Sequence, residues 1–526
     1  MSERPKVAVV GGGVAGLVAG RTLAIGGADV TVFEAAAYVG GRCHRGSEFA
    51  FQRGDRIWRF DLEHGIHGLW RQYRNVRRIL EEEGKSGALV AAAGQELVVP
   101  HPTRGVQAYE FGARVRQAPL PDLLSFLMVF TASDFLAQSL REGPVAWQRS
   151  FFDLLHAFAF DARRDIERYD DVSVADFIEG WPLVLQRMSG AITHSAFFRE
   201  ARDVGLAAYL TGLQSYFVSD KRDTAFDFFR DDAEADLLGP LRARIEASGG
   251  RVRTGTRVVE IVGEQERAVR VRWRSASSAR ANSARFDGVV VAVDPPGLAR
   301  LRDDGGIGSA LDPQARIPDG VHSCVVRLFF DRDLAADRAP TGVFHGLAAD
   351  NFFWLHRLQR PFVAYHAETG GAVLECHLYG DRAVAAASLD DDAVLEQVDG
   401  VVQVAWPELR GARIAAHVQR NTASHVAFGP GVMARVPSIT TRWPNLALCG
   451  DWIALDSPVL YLERATTTGL LAAAHVGRSV GLSPGAFPEP LPPYPPAPDV
   501  ARVGRAARWL RDRGLLPMPG RRTRRA

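Results

Sequence analysis

The sequence predicts an α/β fold of the doubly wound kind, interrupted by a helical insert and a second set of strands. Three observations carry this. Residues 6–10, Lys-Val-Ala-Val-Val, read as a buried parallel strand that runs directly into a glycine cluster. From about 110 to 215 the pattern changes to helices rich in Leu, Phe and Trp. Strands then return, and a last one, residues 446–449, meets Gly450-Asp451 and leads into a helix over about 459–479.

The opening is a βαβ unit with short connections. After the strand at 6–10, residues 17–25 carry a helical apolar face and residues 29–34 form a second strand. Further strands are expected at 251–262, 287–293, 321–330 and 372–379. Residues 483–498 are a proline-rich linker that must be extended. Beyond it, residues 502–526 hold nine arginines and a single aspartate, and Val500, Val503, Ala507 and Leu510 recur at helical spacing opposite the arginines. The segment 499–526 therefore reads as a separate basic amphipathic tail.

Composition excludes several function classes. Lys+Arg 63 against Asp+Glu 61 leaves a net charge of +2, so no global field attracts nucleic acid. The four cysteines, Cys43, Cys324, Cys376 and Cys449, have no metal-ligand spacing and suit a reducing cytoplasm. The start of the chain is polar and does not read as a signal peptide. The longest apolar stretch, residues 123–132, falls well short of the roughly 20 residues a spanning helix requires.

Gly11-Gly12-Gly13-Val14-Ala15-Gly16 fits GxGxxG between a strand and a helix. Gly11 permits the tight turn, Gly13 lets backbone approach a pyrophosphate, and Gly16 lets helix and strand pack closely. Val14 and Ala15 open the helix, whose unpaired N–H groups face the phosphates. Glu34, ending the second strand, is the acid expected on ribose hydroxyls. Glu34 then begins E-x5-GGR, with Gly41 and Arg42 at its end. This extension resembles the FAD enzymes of the amine oxidase and phytoene desaturase superfamily, and its arginine suits the diphosphate.

Two distant segments resemble the same superfamily. Thr256-Arg257-Val258-Val259-Glu260-Ile261 looks like the strand that reads the adenine edge, through Val258 and Val259. Leu448-Cys449-Gly450-Asp451-Trp452, followed by Leu462-Glu463-Arg464-Ala465, resembles the terminal flavin motif, with Gly450 and Asp451 at the isoalloxazine and ribitol. The resemblance implies a discontinuous Rossmann-like FAD-binding domain from 1–100, 222–300 and 421–482, and an interleaved helical plus β-sheet substrate domain from 101–221 and 301–420.

Within the superfamily the discriminating segment is His64-Gly65-Ile66-His67-Gly68-Leu69-Trp70-Arg71-Gln72-Tyr73-Arg74-Asn75. It resembles the plant and cyanobacterial carotene desaturases, and most closely the carotenoid ring aromatases of the isorenieratene synthase type. The resemblance implies that Gly65 and Ile66 border the flavin and that His67 stands against its reacting face as the candidate catalytic residue. His64 is read as a turn histidine bonded to backbone, and Arg71 as a structural ion-pair partner. Neither histidine has metal-ligand spacing.

The implied chemistry is hydride abstraction from a carotenoid, on the polyene or on a β-ionone ring, where aromatisation would need a 1,2-methyl shift. A polyene cation calls for a dry apolar tunnel and not a charged dyad. The implied partners are an apolar carotenoid, a membrane surface and an electron acceptor such as quinone or oxygen, with the enzyme peripheral on the inner face of the membrane. A flavin amine oxidase is the rival. Such enzymes typically carry a lysine near the flavin, and this chain has only Lys6, Lys85 and Lys221. A linear carotene desaturase or isomerase, and a non-catalytic flavin-binding protein, also stay open.

Overall fold

The structure, a computed structural model, describes residues 3–519 apart from 102, 104, 111, 126–142, 277, 279 and 517. Residues 126–132 of the apolar stretch and 520–526 of the tail therefore lie outside the described residues.

Five parallel strands form the first sheet, in the order Arg251–Arg253, Asp29–Phe33, Lys6–Val10, Gly288–Val291 and Leu446–Leu448. Apart from Lys6, the central strand is buried along its length, as a parallel sheet covered on both faces requires. Helix Val14–Ile25 covers one face, and helix Tyr461–Ser479 packs on it, with Gly469 close against the Ala15 carbonyl. The opening βαβ unit, the return strands and the terminal helix thus stand where their periodicity puts them, although the sheet gathers strands from residue 6 to residue 448.

A second, seven-stranded sheet runs Arg413–Val426, Gly320–Phe330, Val373–Tyr379, Asn351–Trp354, Thr341–Phe344, Gln95–His101 and Gly105–Glu110. Its pairs are antiparallel except Thr341–Phe344 with Gln95–His101. Gln95–His101, which the sequence-based division assigns almost wholly to the first segment, pairs inside this second sheet. A small sheet of Gly68–Trp70, Phe226–Phe229 and Leu89–Ala91 carries the end of the signature segment between the two.

The helical insert lies over the other side of the cavity that these sheets enclose. Pro144–Ala159, Leu183–Phe197 and Leu206–Leu213 share one apolar core with Val14–Ile25 and Tyr461–Ser479. The helical layer and the first sheet are consequently one hydrophobic unit.

The proline-rich segment is extended, but it is strapped to the signature helix Arg74–Glu82. Asn75 Oδ1 accepts from Leu491 N at 2.7 Å and Gln72 Oε1 from Tyr494 N at 2.8 Å, while the Tyr494 ring lies 4.3 Å from the guanidinium carbons of both Arg71 and Arg74. Helix Pro498–Asp512 then docks on Pro144–Ala159. Val500 and Ala507 are buried there, and Arg511 Nη1 reaches Asp165 at 2.7 Å with both side chains nearly fully buried. The apolar stripe of the tail is therefore spent on the body of the protein, and one of its arginines is a buried ion-pair partner.

Candidate active site

A cavity of about 1500 Å³ runs from the glycine cluster through the signature segment into the helical layer. That exceeds the roughly 300–1,000 Å³ of an ordinary small-molecule pocket, and leaves room for a dinucleotide and a second, elongated occupant.

The first zone is a cradle. Gly11 has φ +106°, and a side chain there would meet the Ala292 carbonyl at 2.3 Å; one on Gly16 would meet the Gly11 carbonyl at 2.0 Å. A Cβ on Gly13, by contrast, would meet nothing within 4 Å. Gly11 and Gly16 are thus demanded by the fold itself, while the space in front of Gly13 suits a diphosphate. Val14 and Ala15 line it at the helix N-terminus. Glu34 accepts from Gly12 N and Ala36 N, each at 2.7 Å, which fixes its carboxylate and leaves lone pairs for ribose hydroxyls.

Gly40 bonds back to the Gly12 carbonyl at 2.7 Å, so the second glycine turn faces the first, with Gly41 and Arg42 lining the cavity between them. Arg42 Nη2 pairs with Asp451 Oδ2 at 2.6 Å. Gly450, next to Asp451, is bonded through its N–H and carbonyl to Thr468 Oγ1 on the terminal helix. Val258 and Val259 line the same cavity from the strand Thr256–Glu264. All fourteen cofactor positions singled out in the sequence except Gly16 border the cavity, and Gly16 supports it from behind.

The second zone is the signature segment. Gly65, Ile66 and His67 line the cavity between cradle and helical layer. At 65 a Cβ would lie 3.2 Å from His377 Cε1, so any larger residue would press on that ring. Ile66 N donates to Glu375 Oε1 at 2.8 Å. His67 Nδ1 and His64 Nε2 are buried and find no hydrogen-bond partner among the described residues. The reading of His64 as a backbone-bonded turn residue is therefore not met at Nε2, because the ring points its bulk to the cavity wall beside His425, 5.2 Å away. Arg71 does pair structurally, with Asp220 and Asp223.

Burial holds the imidazoles neutral. His67 is pushed down to about 4 by desolvation, and His64 and His425 are driven well below the usual histidine range by the same cause. Beside them stands an acid–base pair that sequence reasoning missed. His377 Nε2 lies 2.6 Å from Glu375 Oε1, and Arg327 holds the other Glu375 oxygen at 2.7 Å. The tunnel without a charged dyad is thus corrected: a dyad is present, fully buried between strands. A signal existed, since Glu375, His377 and Tyr379 alternate along one strand whose other positions are apolar.

The third zone is apolar. Trp70, Phe198 and Tyr461 wall the cavity next to the histidines, and Leu154, Met188 and Phe217 continue it between helices. Phe198, Ala423 and Tyr461, which line it, adopt positive φ of 62°, 49° and 54°. Backbone strain in non-glycine residues collects at functional sites. Away from the cavity, Asp333, His356 and His366 have metal-ligand proximity. Arg357 lies 3.5 Å from both Asp333 oxygens and His356 Nε2 is already bonded to that carboxylate, so an ion pair accounts for the trio.

Two outcomes follow from this geometry. Gly13→Val is expected to give folded protein without flavin absorbance, since the new side chain enters open cradle space; a yellow, fully loaded variant would displace the cofactor from this cradle. Glu63, which precedes His64, is pushed up to about 8 by burial. A carboxyl raised in the folded state stabilises the fold below its unfolded value, and that contribution fades as pH climbs toward 8. The Tm of Glu63→Gln relative to the parent should therefore rise steadily between pH 5 and pH 8, and a pH-independent difference would contradict the burial argument.

Comparison with known proteins places these features in a lineage. The chain is 28% identical over 480 residues to a carotenoid phi-ring synthase of Streptomyces griseus, covering 90% of this chain and 87% of that one. It is 22% identical over 494 residues to a zeta-carotene desaturase of Arabidopsis thaliana, covering 90% and 85%. Cyclohexylamine oxidase from Brevibacterium oxydans shares its fold, with a TM-score of 0.62 at 16% identity over 91% of this chain and all of that one. Residues 14–477 match the family described as flavin containing amine oxidoreductase. The chain belongs to that family, an FAD-dependent oxidoreductase with FAD as its cofactor.

Proposed function

We propose that this enzyme oxidises a carotenoid, and that the β-ionone ring of a cyclised carotene is the part it acts on. The observation that carries the proposal is the continuous cavity, whose far end is walled by aromatic and aliphatic side chains and fits a long hydrocarbon. The similarity to a phi-ring synthase at 28% identity, against 22% to a zeta-carotene desaturase, favours ring chemistry over linear desaturation.

In this reading segments 1–100, 222–300 and 421–482 hold the cofactor, and 101–221 with 301–420 hold the substrate. Gly11, Gly13, Val14, Ala15 and Gly16 take the diphosphate with Gly41 and Arg42 above it. Glu34 takes the ribose hydroxyls, and Val258 and Val259 the adenine edge. Gly65, Ile66, Gly450 and Asp451 border the ribitol and isoalloxazine. Bound FAD supplies a two-electron hydride acceptor. The protein's part is to hold the ring against it, with His67 at the reacting face, and to keep water from the cation. An amine substrate fits less well, since an ammonium is costly to desolvate and no lysine lines the cavity among the described residues.

The substrate lives in lipid, and the cavity wall reaches the surface where a membrane would meet it. Leu124 and Phe151 both line the cavity and are exposed, at 45% and 61%. Exposed Phe152 and Trp509 stand on the helices packed beside them, with the exposed Arg502 and Arg505 on the last helix. We assign this face to the inner leaflet of the cytoplasmic membrane, where anionic headgroups attract the arginines. No helix among the described residues is long and apolar enough to cross a bilayer. Quinone dissolved in that membrane, or oxygen, would reoxidise the flavin.

Under anaerobic conditions, lipid-dispersed β-carotene is expected to bleach the flavin faster than phytoene or zeta-carotene does, and benzylamine is expected not to bleach it. His67→Ala should slow bleaching while FAD stays bound. Faster reaction with the acyclic carotenes would move the assignment to a linear desaturase, and bleaching by amines alone would overturn it. For the membrane face, Phe151→Ser with Trp509→Ser should reduce sedimentation with anionic liposomes severalfold at low salt. Equal sedimentation of variant and parent would remove this face from the membrane.

A further inference from the structure

We propose that Tyr379 takes the proton lost from the substrate ring, and that His377 and Glu375 behind it carry the charge that this proton brings. The inference rests on the ring-oxidation reading above and assigns the base which that reading leaves open.

The three residues occupy alternate positions of the strand Val373–Tyr379, so their side chains share one face. Tyr379 Oη lies 2.5 Å from His377 Nδ1, and His377 Nε2 lies 2.6 Å from Glu375 Oε1. Arg327 holds Glu375 as a carboxylate, which can only accept hydrogen bonds. His377 Nε2 must therefore carry a hydrogen and donate it to Glu375. Its Nδ1 is then a bare lone pair, and the Tyr379 hydroxyl must donate into it. Both Tyr379 and His377 line the cavity. With its two ring nitrogens engaged, His377 has no site of its own for a substrate proton; Tyr379 does.

The neighbouring imidazoles do not compete. Among the described residues no carboxylate is in hydrogen-bond contact with His64, His67 or His425, so an imidazolium at any of them would be uncompensated. At His377 the new positive charge forms 2.6 Å from a carboxylate.

Bound FAD would accept a hydride, with its electron pair, from a ring carbon, and the ring would keep a cation. The methyl group moves with its bonding pair to the cationic carbon. A C–H bond on the neighbouring carbon then breaks, and its pair becomes the new C=C bond. The proton goes to Tyr379 Oη as the phenol's own proton passes to His377 Nδ1, leaving an imidazolium against Glu375. Water recovers that proton between turnovers, and a second loss of hydride and proton, after the quinone or oxygen acceptor has taken the first electron pair, adds the third C=C bond of the aromatic ring.

The test uses the FAD-loaded full chain with β-carotene in lipid vesicles, and the same carotene deuterated at the ring methylenes. Tyr379→Phe and His377→Gln should keep their flavin spectrum and lower aromatic product formation about a hundredfold or more, the usual worth of a general base. Deuteration at the carbon that loses a proton should slow Tyr379→Phe proportionally more than the parent, because proton loss becomes limiting. A merely structural role would slow flavin reduction and product formation equally. Independently of turnover, nitrogen NMR of labelled histidine should show His377 in the Nε2–H form, with its Nδ1 signal moving in Tyr379→Phe. Tyr379→Phe at the parental rate with an unchanged isotope effect, or His377 in the Nδ1–H form, would overturn the relay. A parent enzyme inert toward β-carotene would instead overturn the reading beneath it.

Discussion

One buried ion pair organises the junction between cofactor cradle and substrate tunnel. Arg327 and Glu375 stand opposite each other on neighbouring strands, with side chains 1% and 2% exposed and 2.7 Å apart. Each also reaches out of the sheet to the signature segment: Glu375 accepts from Ile66 N, and Arg327 donates to the Glu63 carbonyl. Desolvating two charges offsets most of their attraction, so such a pair contributes little net stability. What it supplies is position. Losing either partner would strand a buried charge, at about 3–5 kcal/mol, and release the backbone that carries Gly65, Ile66 and His67. The same carboxylate sets the tautomer of His377.

Much of this was legible in the sequence, where the governing physics is local. Strand burial, helical periodicity and the placing of glycines in the turn between strand and helix act over a few residues, and the opening of the five-stranded sheet follows from them. One long-range feature was half visible. Asn75 of the signature and Glu463 of the Leu-Glu-Arg-Ala motif were noticed separately, and the structure joins them: Glu463 Oε1 accepts from Asn75 N at 2.8 Å and from its Nδ2 at 2.7 Å across 388 residues. The Glu375–His377–Tyr379 row was not found. Its partners come from strands and a loop up to 309 residues away, and only the alternation of polar side chains in an apolar strand marked it. The docked tail is a different failure, because an apolar stripe opposite arginines reads alike whether it meets lipid or another helix.

The distribution of charge along the cavity fits the chemistry proposed for it. At the cradle, Arg42 and the helix N-termini supply positive potential where an anionic diphosphate belongs. At the junction burial favours neutral imidazoles at His64, His67 and His425, and the negative charge on Glu375 is balanced by Arg327. Beyond them the lining is mainly rings and aliphatic chains. A delocalised carbocation formed there would face no like charge, and the faces of Trp70 and Tyr461, 5.8 Å apart and nearly parallel, offer it favourable quadrupoles.

That arrangement has a cost that the fold visibly carries. Phe198, Ala423 and Tyr461 hold left-handed backbone without being glycine, and the Tyr461 hydroxyl is tied to the Ala196 carbonyl, two residues before Phe198. Phe198 in turn lies 4.7 Å from Tyr379 and 4.2 Å from His425 between ring centroids. Relaxing Phe198 or Tyr461 would swing an aromatic ring out of the cavity wall beside Tyr379 and His425. Holding unfavourable dihedrals in place takes a surrounding structure that over-determines them, and here that structure is the shared core of the helical insert and the first sheet. The insert is therefore part of the frame of the site: its packing against the terminal helix fixes the aromatic wall beside Tyr379, against which the proposed cation would form.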